Sequence, residues 1–168
     1  MIRLDALFPV GTEPRRELMW VGVAWGGAIL YSAFGFFSAF RSAYDMLFYR
    51  WNTLRSLRPG AVMPDFGSLL GRSLAGFLVV ALCMIGLAAY HYAYHYQDSK
   101  SIYLMRRLPQ RWELLRRCAA APLLCAAASF LLAFLVLLLY FWFYLAVSPE
   151  GCVVPGQWAR LWPHLIGG

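Results

Sequence analysis

"LLCAAASFLLAFLVLLLYFWFYLAV", Leu123–Val147, is the stretch that decides the fold. It contains no charged residue, and it belongs to an uncharged run of 32 residues from Cys118 to Pro149. A helix needs about 20 consecutive apolar residues to cross the hydrocarbon core of a bilayer. In lipid a helix also satisfies its own backbone, because each N–H and C=O pairs within the segment. Two further uncharged runs repeat the pattern: Leu18–Phe40 with 23 residues and Ser73–Gln97 with 25. The chain of 168 residues is 61% hydrophobic, with a mean hydropathy of +0.57. A soluble domain of this size would lack the polar groups to cover its surface. A transmembrane barrel is excluded too, since no series of alternating segments occurs. The expectation is an all-α membrane protein with three transmembrane helices, about 18–40, 73–97 and 119–147, in a single membrane domain covering residues 1–168.

The segments between the runs set the details. Residues 1–17 read as an N-terminal surface segment, with Leu4, Leu7 and Phe8 against the membrane and Pro9, Gly11 and Pro14 breaking it before the first span. The first run follows the charges Asp5, Glu13 and Glu17 and exceeds the usual apolar core of a signal peptide, so it reads as a retained span. Its many Gly, Ala and Ser residues either let another helix approach closely or are simply tolerated in lipid. "RSAYDMLFYRWNTLRSLR", residues 41–58, mixes aromatics and charges at roughly helical spacing. It reads as a helix at the membrane surface with an interfacial aromatic belt, in preference to a ligand site. "PGAVMPDFGSLLG", residues 59–71, is turn-rich. The second run ends in "YHYAYHY", Tyr90–Tyr96, where His91 and His95 share one helix face. A metal would need a third ligand, and none is near in sequence. An interfacial anchor is the favoured reading, with metal binding and a pH-sensitive role as alternatives. In the C-terminal tail, Trp158 and Trp162 are expected to rest on the membrane surface.

Chemistry is sparse. No G-x-x-x-x-G-K-[ST] sequence occurs, so this chain has no P-loop for ATP. The cysteines Cys83, Cys118, Cys125 and Cys152 form no C-x-x-C pair, and neither a disulfide framework nor a zinc site is expected. The expectation is a non-enzyme with no cofactor. The net charge of +7 comes from residues flanking the spans, where they meet lipid headgroups and set orientation, and nucleic acid is not an expected partner. Three spans place the N-terminus and the second connection on one side. That side carries nine basic residues (Arg3, Arg15, Arg16, Lys100, Arg106, Arg107, Arg111, Arg116, Arg117), against six on the other (Arg41, Arg50, Arg55, Arg58, Arg72, Arg160). The excess favours a cytoplasmic N-terminus.

The most unusual polar stretch is "KSIYLMRRLPQRWELLRRC", Lys100–Cys118. Ile102, Met105 and Leu108 recur every three residues and share a face, while Arg106 and Arg107 point elsewhere. Pro109 stops a helix there and biases Leu108 towards extended angles. From Gln110 good helix formers run into the third span. The pattern is an elbow, about residues 98–117, with an apolar edge and a cationic rim. Such an elbow suits docking to a soluble cytoplasmic protein or, equally on these grounds, lying with its edge in lipid.

This stretch resembles the cytoplasmic coupling segment of ABC exporter permeases of the type-2 class. Ile102, Leu104, Met105, Leu108 and Pro109 match that segment's apolar and proline positions, and Arg111, Trp112 and Glu113 match the Arg-Trp-Glu that often opens the next helix. About 20 residues match well, and the layout of surface segment, span, long outer connection and second span matches loosely. The chain departs from the family in having three spans where six are usual, and in placing Lys100, Ser101, Ile102 and Tyr103 where the family has Gly-Thr-x-Glu. The resemblance implies a small integral-membrane subunit of an export system in a bacterial plasma membrane. A separate ABC-type ATPase would dock on Ile102, Tyr103, Leu104, Met105, Arg106, Arg107, Leu108, Pro109, Arg111, Trp112 and Glu113. A second permease chain or further copies of this one would complete the pathway. The alternative expectation is a structural or regulatory subunit packed beside a larger membrane protein.

Overall fold

A computed structural model describes residues 14–51, 54–97, 112–149 and 151–166. The described chain is mostly helical. In order it contains α1 (Pro14–Met46), β1 (Phe48–Trp51), β2 (Leu54–Leu57), α2 (Phe66–Leu70), α3 (Ala75–Gln97), α4 (Trp112–Val147) and α5 (Gln157–Ile166). Three of these are long and apolar enough to cross a membrane, over Arg15–Met46, Ala75–Ala93 and Ala119–Val147.

Four local expectations change. Pro14 opens α1 instead of breaking the chain ahead of it. Proline suits the first helical turn, where its missing N–H is not needed. The first span is therefore longer than 18–40 at both ends. Residues 41–58 are not one surface helix: α1 continues to Met46, and a β-hairpin follows, so the fold is not purely α. In the hairpin Phe48 pairs with Leu57 and Trp51 with Leu54. Phe48, Tyr49 and Trp51 are strand-favouring types, and their strand propensity prevails over the helical spacing of the charges. Arg58 N–H donates to the Leu47 carbonyl at 2.9 Å, closing the hairpin onto the end of α1. The fourth change concerns Trp158, which is half-buried against protein, its ring 5.2 Å from that of Phe141. The surface segment up to residue 13 and most of the elbow lie outside the described residues.

The chain divides into two compact units, residues 1–28 with 77–132 and residues 29–76 with 133–168. In the second unit α1 presents Phe36, Phe40 and Ala43 at helical spacing, with Leu47 just past its end, and α4 presents Leu137, Tyr140 and Tyr144. Phe36 stacks on Tyr140 with ring centres 4.3 Å apart and planes within 1°. Four residues on, Phe40 meets Tyr144 edge to face. Both helices advance together, so α1 and α4 run parallel here, as the first and third of three consecutive spans must. In lipid such packing depends on van der Waals contact more than on expulsion of water, and each aromatic pair contributes about 0.5–1.5 kcal/mol beyond area.

This core has a hydrogen-bonded lid. Pro59 and Gly60 make a turn closed by Ala61 N–H to the Arg58 carbonyl, with Gly60 at φ 76 where a Cβ would be strained. The loop then reaches Met63, whose N–H donates to the Cys152 carbonyl, and Asp65, which precedes α2 but lends it no side-chain cap. Gln157 of α5 supplies the missing bond. Its buried Oε1 accepts the Phe66 N–H at 2.9 Å, while its Nε2 donates to Asp65 Oδ1 and to the Val154 carbonyl. Tyr144, fully buried, donates its hydroxyl to the Pro64 carbonyl at 3.0 Å. Close approach also matters on α1, where a Cβ at Gly35 would stand 3.0 Å from Ser73 Oγ.

Candidate functional site

The elbow residues Ile102, Tyr103, Leu104, Met105, Arg106, Arg107, Leu108, Pro109 and Arg111 lie outside the described residues. Trp112 and Glu113 form the start of α4. The backbone on either side is helical, with α3 ending at Gln97 and α4 beginning at Trp112.

A buried polar cluster within the membrane-length helices lies in the first unit. Its apolar centre is small: Val21, Ala81, Met84 and Ala126, with Trp25, Leu87 and Cys125 against them. Alanine on two of the three helices lets backbones come close. Trp25 Nε1 donates to Ser129 Oγ at 2.8 Å, and Ser129 Oγ donates to the Cys125 carbonyl one turn back at 2.9 Å. Ser129 is fully buried, so the indole and the hydroxyl satisfy each other away from water.

Near the start of α1 and towards the end of α3, His91 Nε2 stands 3.4 Å from Glu17 Oε1, with side-chain exposures of 7% and 26% respectively. Among the described residues, the buried His91 Nδ1 has no hydrogen-bond partner. Glu17 also lines a small open crevice with Leu18, Val21, Met84, Leu87, Ala121, Pro122 and Cys125. Pro122 sits inside α4, where it lacks the N–H that would bond the carbonyl four residues back. Among the described residues no group of three or more His, Cys, Asp and Glu is placed to hold a metal.

No family model, curated protein or solved structure matches the chain.

Chemical argument therefore carries the site. Sequence reading placed Glu17 in the polar N-terminus and His91 in an interfacial tyrosine cluster. The structure puts both within helices of membrane-crossing character and pairs them. Ionisable groups at membrane depth are costly unless paired, and for that reason they mark function more often than ordinary packing. The signal in the sequence was faint: Glu17 is a carboxylate directly ahead of an uncharged run, and helical continuity through Pro14 was needed to carry it into the span.

Proposed function

We propose that the chain is a small integral-membrane subunit of an ABC-type export system in a bacterial plasma membrane, with its N-terminus in the cytoplasm. The elbow at Ser101–Glu113 docks a separate ATPase. Leu104, Met105 and Leu108 supply the apolar plug, and Arg106, Arg107 and Arg111 supply the charge contacts. The observation that supports this reading is that the basic, proline-containing stretch lies in sequence between two membrane-length helices, one ending at Gln97 and the other opening at Trp112. α4 is 36 residues long, with Pro122 inside it. Closure of the ATPase moves the elbow, and the helices flanking it follow. ATP hydrolysis belongs to the partner, since this chain has no P-loop. A second permease chain or further copies complete the pathway.

The test is double charge reversal, Arg106→Glu with Arg107→Glu. It is expected to reduce co-purification with a P-loop ATPase while membrane insertion stays intact. Undiminished co-purification contradicts the docking role.

One observation favours a second reading, a non-transporting structural or regulatory subunit. Gly22 and Gly26 stand four apart on α1, and a Cβ at Gly22, Gly26 or Gly27 would meet nothing within 4 Å. A face of that kind admits the close approach of a helix from a larger membrane protein. Affinity purification in mild detergent separates the two readings: an ATPase among the recovered chains favours the exporter, and a large membrane protein without one favours the structural subunit.

A further inference from the structure

We propose that Glu17 and His91 form a proton-operated latch: a neutral His91 holds the end of α3 against the start of α1, and protonation of the ring unseats it. The proposal stands on the geometry of the pair and does not depend on what the elbow binds.

The two imidazole nitrogens have unequal surroundings. Nε2 faces the Glu17 carboxylate at 3.4 Å, whereas Nδ1 is buried without a partner among the described residues. In the neutral ring with its hydrogen on Nε2, the N–H is directed to the carboxylate and Nδ1 keeps a bare lone pair. An unfilled lone pair is the milder defect. Adding a proton makes both nitrogens donors. The imidazolium then attracts Glu17 more strongly, but its second N–H is a buried donor with no acceptor, which carries the full desolvation penalty.

Both demands are met together only if the ring moves towards water with Glu17 following it. Glu17 can follow, because it lies in the first turn of α1 and is the more exposed partner, at 26% against 7%. His91 lies six residues before the end of α3 at Gln97, so movement of the ring carries that helix end with it.

The other titratable and charged neighbours among the described side chains are few, and His95 stands one turn further along α3 in sequence. From α1 these are Arg15 and Arg16, both exposed and just ahead of Glu17. From α4 the crevice beside Glu17 is lined by the thiol of Cys125. On α3 itself Tyr90 has its ring 6.2 Å from the imidazole, and Tyr92 is exposed. Of these types only histidine ordinarily titrates between about pH 5 and 8.

The experiment uses the full chain in lipid nanodiscs with Cys83, Cys118, Cys125 and Cys152 replaced by Ser. Spin labels are attached at Met19→Cys and Ala93→Cys, both exposed positions in the same unit. Distance distributions are recorded at about pH 8 and about pH 5. The expected result is one narrow distribution at the higher pH and a shifted, broader one at the lower, restored when the pH is returned. His91→Gln keeps a neutral donor and is expected to hold the narrow distribution at both. A pH-independent distribution in the otherwise unaltered chain overturns the latch whatever the variant does, and so does the same shift in His91→Gln.

Discussion

The two compact units solve the problem of packing apolar helices in opposite ways. The unit built on Phe36, Phe40, Tyr140 and Tyr144 uses large interlocking rings around a hydrogen-bonded Gln157 node, and it buries Ser32 Oγ and Ser148 Oγ without a hydrogen bond among the described residues. The unit built on Val21, Ala81, Met84 and Ala126 uses small side chains, and it leaves His91 Nδ1 unpaired among the described residues, beside a crevice. The difference is in how the packing is built: interlocking rings in one unit, and smaller residues beside an ionisable pair in the other.

The contrast breaks most readily at Phe36. This ring is fully buried and touches Phe37, Phe40, Phe66, Tyr140 and Phe143. Phe36→Ala is expected to destabilise the aromatic unit by about 3–4 kcal/mol, read as a lowered midpoint of denaturant-driven unfolding in mixed micelles. Gln157→Leu comes next. It strips α2 of its cap and leaves the Phe66 N–H and an Asp65 oxygen without this partner, a loss of about 2 kcal/mol. Faster hydrogen exchange at Phe66, with little change in α3, is the specific signature. Tyr144→Phe leaves the Pro64 carbonyl without its donor and should cost about 1 kcal/mol by the same unfolding measurement. Trp25→Phe is the mildest, since single polar contacts between membrane helices average about 0.6 kcal/mol. Its effect should appear in hydrogen exchange around Ser129 and leave the Gln157 node unchanged. A Trp25 variant as damaging as the Phe36 one would erase the proposed division between the units.

How much of this was legible in the sequence follows from the range of the forces involved. The spans were legible because long uncharged runs report directly on solvation by lipid, one residue after another. The third span lies within α4, which is long and apolar enough to cross a membrane. The hairpin was not legible, since Phe48–Leu57 mixes aromatics and charges at spacings that also fit a helix, and its turn carries no Asn-Gly. The Gln157–Phe66 bond joins residues 91 apart, and no local pattern announces such a pairing. Glu17 and His91 were each visible, but only the continuation of α1 back to Pro14 brings the carboxylate into reach. The elbow remains a matter of pattern: Ile102, Met105 and Leu108 on one face, a proline corner, and a basic rim.

That elbow holds the functional account together, and its side of the membrane is the property most directly open to measurement. In a chain whose four native cysteines are replaced by serine, Gln110→Cys places a single thiol at the corner. The account predicts no reaction with a membrane-impermeant maleimide on whole cells and full reaction once the membrane is made permeable. Labelling of intact cells would put the elbow outside, beyond the reach of any cytoplasmic ATPase, and would contradict the exporter reading.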